Sequence, residues 1–362
     1  MKKRIALVLV LALLAAMFCA CASKAETPGA AESASDAKTV GILMPTKEQT
    51  IWTIYGKRLI EAFEAEGYET LIEYAEDDSS KQVMQIENMI TKNVDALVIA
   101  AVDCASLTDA CEKAKEAGIV IISDDRLITN TTAIDFYVTF DLVRMGELQG
   151  QYIADQLDLA NTSETYTLEI FSGSQDDTNS ISFYNGAMNI LKPYIDSGKL
   201  VVKSGQVEYT ETAIQSWDSS KAQSRMDNLL SGYYSDDHLD AALCAADCLS
   251  IGVISSLESM GYGTEANPFP ILTGQDAELA AIKNIKAGKQ SMTVFLDARL
   301  MAEIVVPVVT DLLAGKTVEA DTTYNNGAFD VPTKTYDPYL IDKDNVDYLV
   351  EAGFYTQAEI DG

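Results

Sequence analysis

From Thr39 onward, short apolar runs rich in β-branched residues alternate with polar turns and with longer stretches whose apolar positions recur every three to four residues. Thr39-Val-Gly-Ile-Leu-Met44 reads as a strand, and residues from about Trp52 to Glu66 as an amphipathic helix. Glu69–Ala75 is the next strand, followed by a helix over Ser80–Lys92 with Val83, Ile86, Met89 and Ile90 on one face. Strands at Ala96–Ala100, Val120–Ser123 and Asp135–Thr139, with helices at Leu107–Ala117 and Val143–Leu157, complete a first set. A second set predicts strands at Tyr166–Phe171, Leu200–Ser204, Ala241–Ala245, Ile271–Gly274 and Met292–Phe295. Its helices fall at Asn179–Leu191, Ser219–Ser231, Leu249–Met260 and Ala277–Ala287. Such alternation predicts a doubly wound α/β architecture, with parallel sheets covered by helices on both faces. About ten strands are more than one such sheet usually holds, so two similar lobes are expected.

The helix pattern over Ala298–Leu313 comes after the second set, although the first lobe still lacks cover. The tail from Thr322 is less regular and rich in Tyr, Asp and Pro. The chain is therefore expected to cross between lobes near Asp141, near Phe295–Asp297 and near Thr322–Asn326. An N-terminal lobe would comprise 38–142 and 296–322, and a C-terminal lobe 143–295 and 323–362. Several short crossings permit only rotation about the seam, which makes a hinge.

The first residues carry a different signal. Lys2, Lys3 and Arg4 precede an apolar run from Ile5 to Phe18, too short to span a bilayer but normal for a secretion signal. The run ends Phe18-Cys-Ala-Cys21-Ala-Ser23, in which Ala20-Cys21 looks like a bacterial lipobox with Cys21 as the lipidated mature N-terminus. The alternative is an ordinary signal peptidase cut without lipid. Residues 1–20 then read as signal, and 21–37, made of small and polar residues, as a flexible tether. An exported body anchored on the outer face of the cytoplasmic membrane is the expectation.

Charge narrows the function classes. The full chain has 26 Lys+Arg against 55 Asp+Glu, and loss of the signal leaves 23 cations and a net charge of −32. Nucleic-acid binding needs clustered cations and is excluded. The one histidine, His238, removes mechanisms that need a His pair and most metal sites. Cys104, Cys111, Cys244 and Cys248 lack zinc spacing and read as free buried thiols. Gly261-Tyr-Gly-Thr-Glu-Ala266 imitates a dinucleotide fingerprint but follows a helix rather than a strand.

Ligands of open α/β sheets sit beyond the carboxyl ends of the strands. Those ends carry Pro45-Thr-Lys47, Asp103, Asp124-Asp-Arg126, Asp141, the run Gly173 to Asn179, Ala246-Asp247 and Gln275-Asp276. The two tryptophans, Trp52 and Trp217, each read as starting a helix on the same rim. Carboxylates, amides and an Arg satisfy hydroxyls in fixed planes, and aromatic rings cover the C–H faces of a sugar. Singly, a strand-end Asp is as readily explained as the cap of the next helix.

Several longer blocks carry a resemblance. Val40-Gly-Ile-Leu-Met-Pro-Thr-Lys47, Ile86-Glu-Asn-Met-Ile90, Asp125-Arg-Leu-Ile128, Phe140-Asp141 with Gly146-Glu-Leu-Gln149, Leu191 to Leu200, Arg225-Met-Asp-Asn-Leu-Leu230, Leu249-Ser-Ile-Gly252 and Gly274-Gln-Asp-Ala277 resemble the periplasmic multiple-sugar-binding proteins, with xylose- and ribose-binding relatives. The resemblance runs from about Lys38 to the C-terminus. It implies a type I periplasmic-binding-protein fold, without a cofactor, that as a monomer delivers a monosaccharide to the permease of an ABC importer. It places Asp125 and Arg126 of the first lobe and Asn179 and Asp276 of the second on sugar hydroxyls, with Trp52 and Trp217 stacking on the ring. Lys47, Asp103 and Asp247 stand at matching positions near the sugar. Three departures are expected to matter: Ile51, Ala246 and Leu296 stand where the family commonly has polar contacts, which points to a ligand with fewer hydroxyls there or one engaged through water.

Competing readings are a sensory co-receptor for a sugar or an autoinducer-like ligand, and a glycosidase with Asp125 and Asp276 as acid and base. The neighbouring Arg126 is expected to keep Asp125 ionised, the wrong state for a general acid.

Overall fold

The computed structural model describes residues 37–362. The predicted signal segment, Cys21 and the tether as far as residue 36 lie outside the described residues. The first lobe opens with β1 (Thr39–Met44), α1 (Thr50–Ala65), β2 (Glu69–Tyr74), α2 (Ser79–Thr91), β3 (Ala96–Ile99), α3 (Thr108–Glu116), β4 (Val120–Asp124) and β5 (Phe136–Phe140). The strands β1, β3, β4 and β5 are apolar almost throughout because helices cover both faces of a parallel sheet. Into the second lobe run α4 (Leu142–Gln156), β6 (Tyr166–Phe171), α5 (Thr178–Asp196), β7 (Leu200–Val201), α6 (Tyr209–Thr212), α7 (Ser219–Tyr233), β8 (Ala241–Cys244), α8 (Asp247–Ser259), β9 (Ile271–Leu272), α9 (Leu279–Lys286) and β10 (Met292–Phe295). The remainder comprises α10 (Ala298–Leu313), β11 (Thr322–Asn325), β12 (Asp330–Tyr336), β13 (Tyr339–Asp342), α11 (Tyr348–Glu351) and α12 (Gln357–Asp361).

Two parallel sheets result. The larger has the order β11-β12-β5-β4-β3-β1-β2 and the smaller β7-β6-β8-β9, with β10 and β13 pairing antiparallel beside it. The chain leaves the first sheet after β5 and enters α4, which packs along α5 in the second lobe. It returns after β10 into α10, which lies against α1 of the first lobe. The third passage lies between Tyr336 and Tyr339, not near Thr322–Asn326, and this corrects the assignment of the tail after residue 322 to the second lobe. Strand β12 pairs in parallel with β5, Thr333 opposite Tyr137, and β11 pairs antiparallel with β12. The physical reason is the edge of the first sheet: without β12, the buried strand β5 would expose a row of unpaired backbone groups. Val331 and Thr333 are fully buried there, whereas Pro332 and Lys334 give the segment the look of a loop.

Two helices fix how the second lobe meets the cleft. Where α4 crosses α5, glycines let the backbones touch. A Cβ on Gly146 would stand 1.9 Å from the carbonyl oxygen of Phe183, and one on Gly186 would stand 2.0 Å from that of Val143. The N-terminus of α5 carries Asp177 and Asn179, so this close crossing also sets where those two side chains lie. Gly186→Ala is expected to lower the unfolding free energy by about 1–3 kcal/mol, the usual cost of overpacking. Urea denaturation measures it, and an unchanged midpoint and slope would contradict the packing argument.

Candidate functional site

Strand ends of both lobes open onto one cavity that encloses about 450 Å³, part of it open to solvent. Gln49, Ile51, Trp52, Asp125 and Arg126 line it from the first lobe. Asp177, Asn179, Phe183, Trp217, Ala246, Cys248, Gln275 and Asp276 line it from the second, and Phe140 and Leu296 come from the crossings. A mostly preformed hollow with a few convergent polar groups is the usual form of a small-molecule site.

Local backbone chemistry aims these side chains. Asp125 and Asp276 each follow a strand and adopt left-handed conformations, with φ of 60° and 93°. The two turns are built alike: the Asp125 N–H donates to the Val138 carbonyl and the Asp276 N–H to the Val294 carbonyl, each at 2.8 Å. Non-glycine residues held at positive φ are strained and collect at functional sites. Trp217 is in the same condition. It does not start a helix, as its sequence context predicted, but ends a single 3-10 turn at Gln215–Trp217 in which Ser216 and Trp217 have φ of 61° and 54°. Gly173 makes room for its ring, since a Cβ there would lie 2.0 Å from it. Trp52 sits in the first turn of α1, its indole N–H donating to Gln49 Oε1 at 3.0 Å, with the Arg126 guanidinium 5.2 Å from the ring centre.

The lobes touch directly at one corner of the cavity. Arg126 Nε lies 3.0 Å from Asp177 Oδ2, and both side chains are more than nine-tenths buried. The Asn179 amide donates to the Asp125 carbonyl at 2.7 Å and to its carboxylate at 3.2 Å, and the Tyr137 hydroxyl donates to Asn179 Oδ1 at 3.1 Å. Elsewhere in the lining, buried polar atoms remain unpaired within the protein: Trp217 Nε1 and Gln275 Oε1. Unsatisfied buried groups are costly, and a ligand with hydroxyls is a chemical partner for both a donor and an acceptor.

Burial controls the acids. It pushes Asp276 up to about 6, and it pushes Asp124, behind the site and hydrogen-bonded by the Tyr55 hydroxyl at 2.8 Å, up to about 7. Glu278 is raised to about 7, again by burial and then by Asp276. Asp125 is held well above the ordinary carboxylate range by burial, which Arg126 only partly opposes. The expectation that Arg126 keeps Asp125 ionised is thereby corrected: the guanidinium is engaged with Asp177 and the Ala101 carbonyl.

Of the residues singled out in the sequence, Trp52, Asp125, Arg126, Asn179, Trp217 and Asp276 line the cavity together, as do the three apolar departures Ile51, Ala246 and Leu296. Lys47, Asp103 and Asp247 are not in its lining. Lys47 is exposed, its ammonium 4.9 Å from the Tyr74 ring centre. Asp103 caps a local turn by accepting the N–H groups of Ala105 and Ser106. Asp247 is fully buried beneath the site, where its carboxylate accepts from Gln290 at 2.7 Å, Thr293 at 3.0 Å and the Glu278 N–H at 2.9 Å. Sequence reasoning passed over Gln49, Phe140, Phe183 and Cys248 as site residues. Asp177 and Gln275 stood in the polar strand-end lists and could have been chosen. The aromatic pair gave no signal, because an apolar residue in a strand or helix reads as core. The four cysteines in the described residues are free thiols, and Cys104, Cys111 and Cys244 are pushed up to about 12 by burial. No group of His, Cys, Asp or Glu suited to a metal occurs among the described residues.

The raised acids fix a pH dependence. An acid whose pKa is higher in the folded chain favours folding fully below its unfolded value near 4, and that contribution is lost as pH rises through the folded value. Asp124→Asn stays neutral throughout, so its unfolding free energy is expected to gain on that of the parent protein between pH 5 and 8. Urea denaturation across that range checks it; parallel curves would refute the burial argument.

Comparisons with known proteins agree with this geometry. A family model described as periplasmic binding protein domain matches residues 40–317. The multiple sugar-binding periplasmic protein SbpA of Azospirillum brasilense is 48% identical over 328 residues, 90% of this chain and 92% of the relative. The multiple sugar-binding periplasmic receptor ChvE of Rhizobium radiobacter is 48% identical over 89% of this chain and 92% of its own length. Among solved structures, an ABC transporter solute binding protein from Clostridium phytofermentans with bound β-D-glucose is 40% identical and superposes with a TM-score of 0.86, covering 89% of this chain and all of that one. The chain, a binding protein and not an enzyme, belongs to the periplasmic binding proteins of the type I fold.

Proposed function

We propose that this protein captures a monosaccharide between its two lobes and hands it, unchanged, to the permease of an ABC importer. The observation that carries the reading is the meeting of Trp52 and Trp217 with Asp125, Arg126, Asn179 and Asp276, three residues from each lobe, around one cavity. Flat rings suit the C–H faces of a pyranose, while carboxylates, an amide and a guanidinium suit its hydroxyls. A ligand that contacts both lobes only when they are shut shifts the population toward the shut form, which a transporter can read. The names of the relatives and the glucose bound to the solved neighbour support a sugar as the ligand class. The Ala20-Cys21 junction after the apolar leader supports anchoring of the mature protein to the outer face of the cytoplasmic membrane through a lipidated Cys21, and the resemblance to the family implies that it works as a monomer.

The cavity wall narrows the choice of sugar. Ile51, Ala246 and Leu296 contribute apolar surface where the family commonly supplies polar contacts, and Phe140 and Phe183 extend it. A hydroxyl facing this wall without a partner loses about 1–3 kcal/mol. The preferred ligand therefore has a hydrogen or methyl group at those points, or a hydroxyl bridged by water.

Thermal unfolding against a panel of monosaccharides is the first test. A ligand at a hundred times its dissociation constant adds about 2.7 kcal/mol to stability, so a clear rise in Tm is expected for at least one sugar and none for a panel of amino acids. Asp276→Ala is expected to abolish that rise while leaving the ligand-free Tm within a few degrees. Calorimetric titration with the monodeoxy analogues of the preferred sugar tests the wall: at least one analogue is expected to bind as tightly as its parent. A loss of tenfold or more on removing each hydroxyl in turn would refute it.

A further inference from the structure

We infer that the Arg126–Asp177 ion pair is a clasp between the lobes, and that Asp177 is a positioning residue that sets ligand affinity through closure instead of by touching the ligand. The inference rests on the sugar-capture reading for its affinity arm and on geometry alone for its closure arm.

Asp177 lines the cavity, yet its carboxylate is already engaged. Oδ1 accepts the Asn179 N–H at 2.9 Å as the N-cap of α5, Oδ2 lies 3.0 Å from Arg126 Nε, and the residue is 4% exposed. Arg126 is tied to the first lobe, Nη1 donating to the Ala101 carbonyl at 3.0 Å. One end of the pair thus belongs to the turn after β4 and the other to the N-terminus of α5 in the second lobe. Other interlobe contacts gather at the same corner. The Cys104 N–H donates to the Asp176 carbonyl at 3.4 Å, Cys104 Sγ lies 3.6 Å from Thr178 Oγ1, and the Asn179 amide donates to the Asp125 carbonyl at 2.7 Å. These bonds can form only when the lobes meet, and they need no ligand atom. An ion pair formed only in the shut state shifts the open–shut equilibrium by its own free energy. The apparent affinity of every ligand then changes by one common factor, the fraction of shut protein.

Asn caps a helix about as well as Asp, so Asp177→Asn removes the charge and keeps the cap; Asp177→Ser does the same should the first variant fold poorly. The closure arm introduces Thr178→Cys, whose thiol would face Cys104 across the seam. With diamide as oxidant and no sugar present, the rate of the Cys104 cross-link, located by peptide mapping, measures how often the lobes meet. Asp177→Asn is expected to slow it at least fivefold. The affinity arm titrates three or more monosaccharides, each expected to lose about tenfold and by the same factor, because what is lost is the ion pair's contribution to closure and not a contact with any one sugar. Unchanged cross-linking, or no cross-link in either background, overturns the clasp. So does a loss that differs more than threefold between sugars, because Asp177 then touches the ligand. Slowed cross-linking in a protein that binds no sugar upholds the clasp and sinks the sugar reading. Equal sugar binding in parent and variant does the reverse.

Discussion

A single guanidinium set among carboxylates governs the cleft. Arg126 is the one cation among the side chains that line the cavity, facing Asp125 on its own lobe and Asp177 and Asp276 on the other. Burying one such charge unpaired is expensive, and three acids around one base cannot all be ionised at little cost. The structure meets the constraint by pairing Arg126 with Asp177 and by holding Asp125 and Asp276 above the ordinary carboxylate range. Each of these solutions depends on the lobes being together. The electrostatics of the site and the closure of the hinge are one problem.

Fold and site are linked through the crossings. Phe140 and Leu296, at the ends of β5 and β10, form part of the cavity lining at the points where the chain changes lobes. A rotation about the crossings carries the strand-end groups of one lobe toward those of the other without rebuilding either core. The side chains that would meet a ligand are rigidly held: Trp217 by a positive φ and the space left by Gly173, Asn179 by Tyr137 and Asp125, Trp52 by Gln49. Preorganisation of this kind lets a small, uncharged ligand bind without a large ordering penalty.

Much of this was legible in the sequence, for identifiable reasons. Buried parallel strands announce themselves as nearly continuous apolar runs, so β1, β3 and β8 stood out. The polar strand ends put Asp125, Arg126, Asn179 and Asp276 among a longer set of candidates because a ligand must lie beyond them, and the resemblance to the sugar-binding family singled them out. Strand β12 was hidden because its Pro332 and Lys334 broke the apolar run, and its partner β5 lies nearly two hundred residues earlier. Asp247 misled because strand-end position says nothing about the direction of a side chain: its carboxylate turns into the second lobe, where Gln290 and Thr293 satisfy it. The titration of Asp125 was misjudged because adjacency to Arg126 in sequence did not make them partners, and burial outweighed the attraction that remained.

The central claim is that a sugar fills the space between Trp52 and Trp217, and the chain offers a direct reporter of it. These are its two tryptophans, and both line the cavity, so all indole emission comes from the site. Titration of the ligand-free protein with its preferred monosaccharide is expected to give a saturable change in tryptophan emission with one sugar per chain, reversed by dialysis that returns the sugar unaltered. Emission indifferent to a sugar that nevertheless binds would place that ligand outside the cleft and contradict the account.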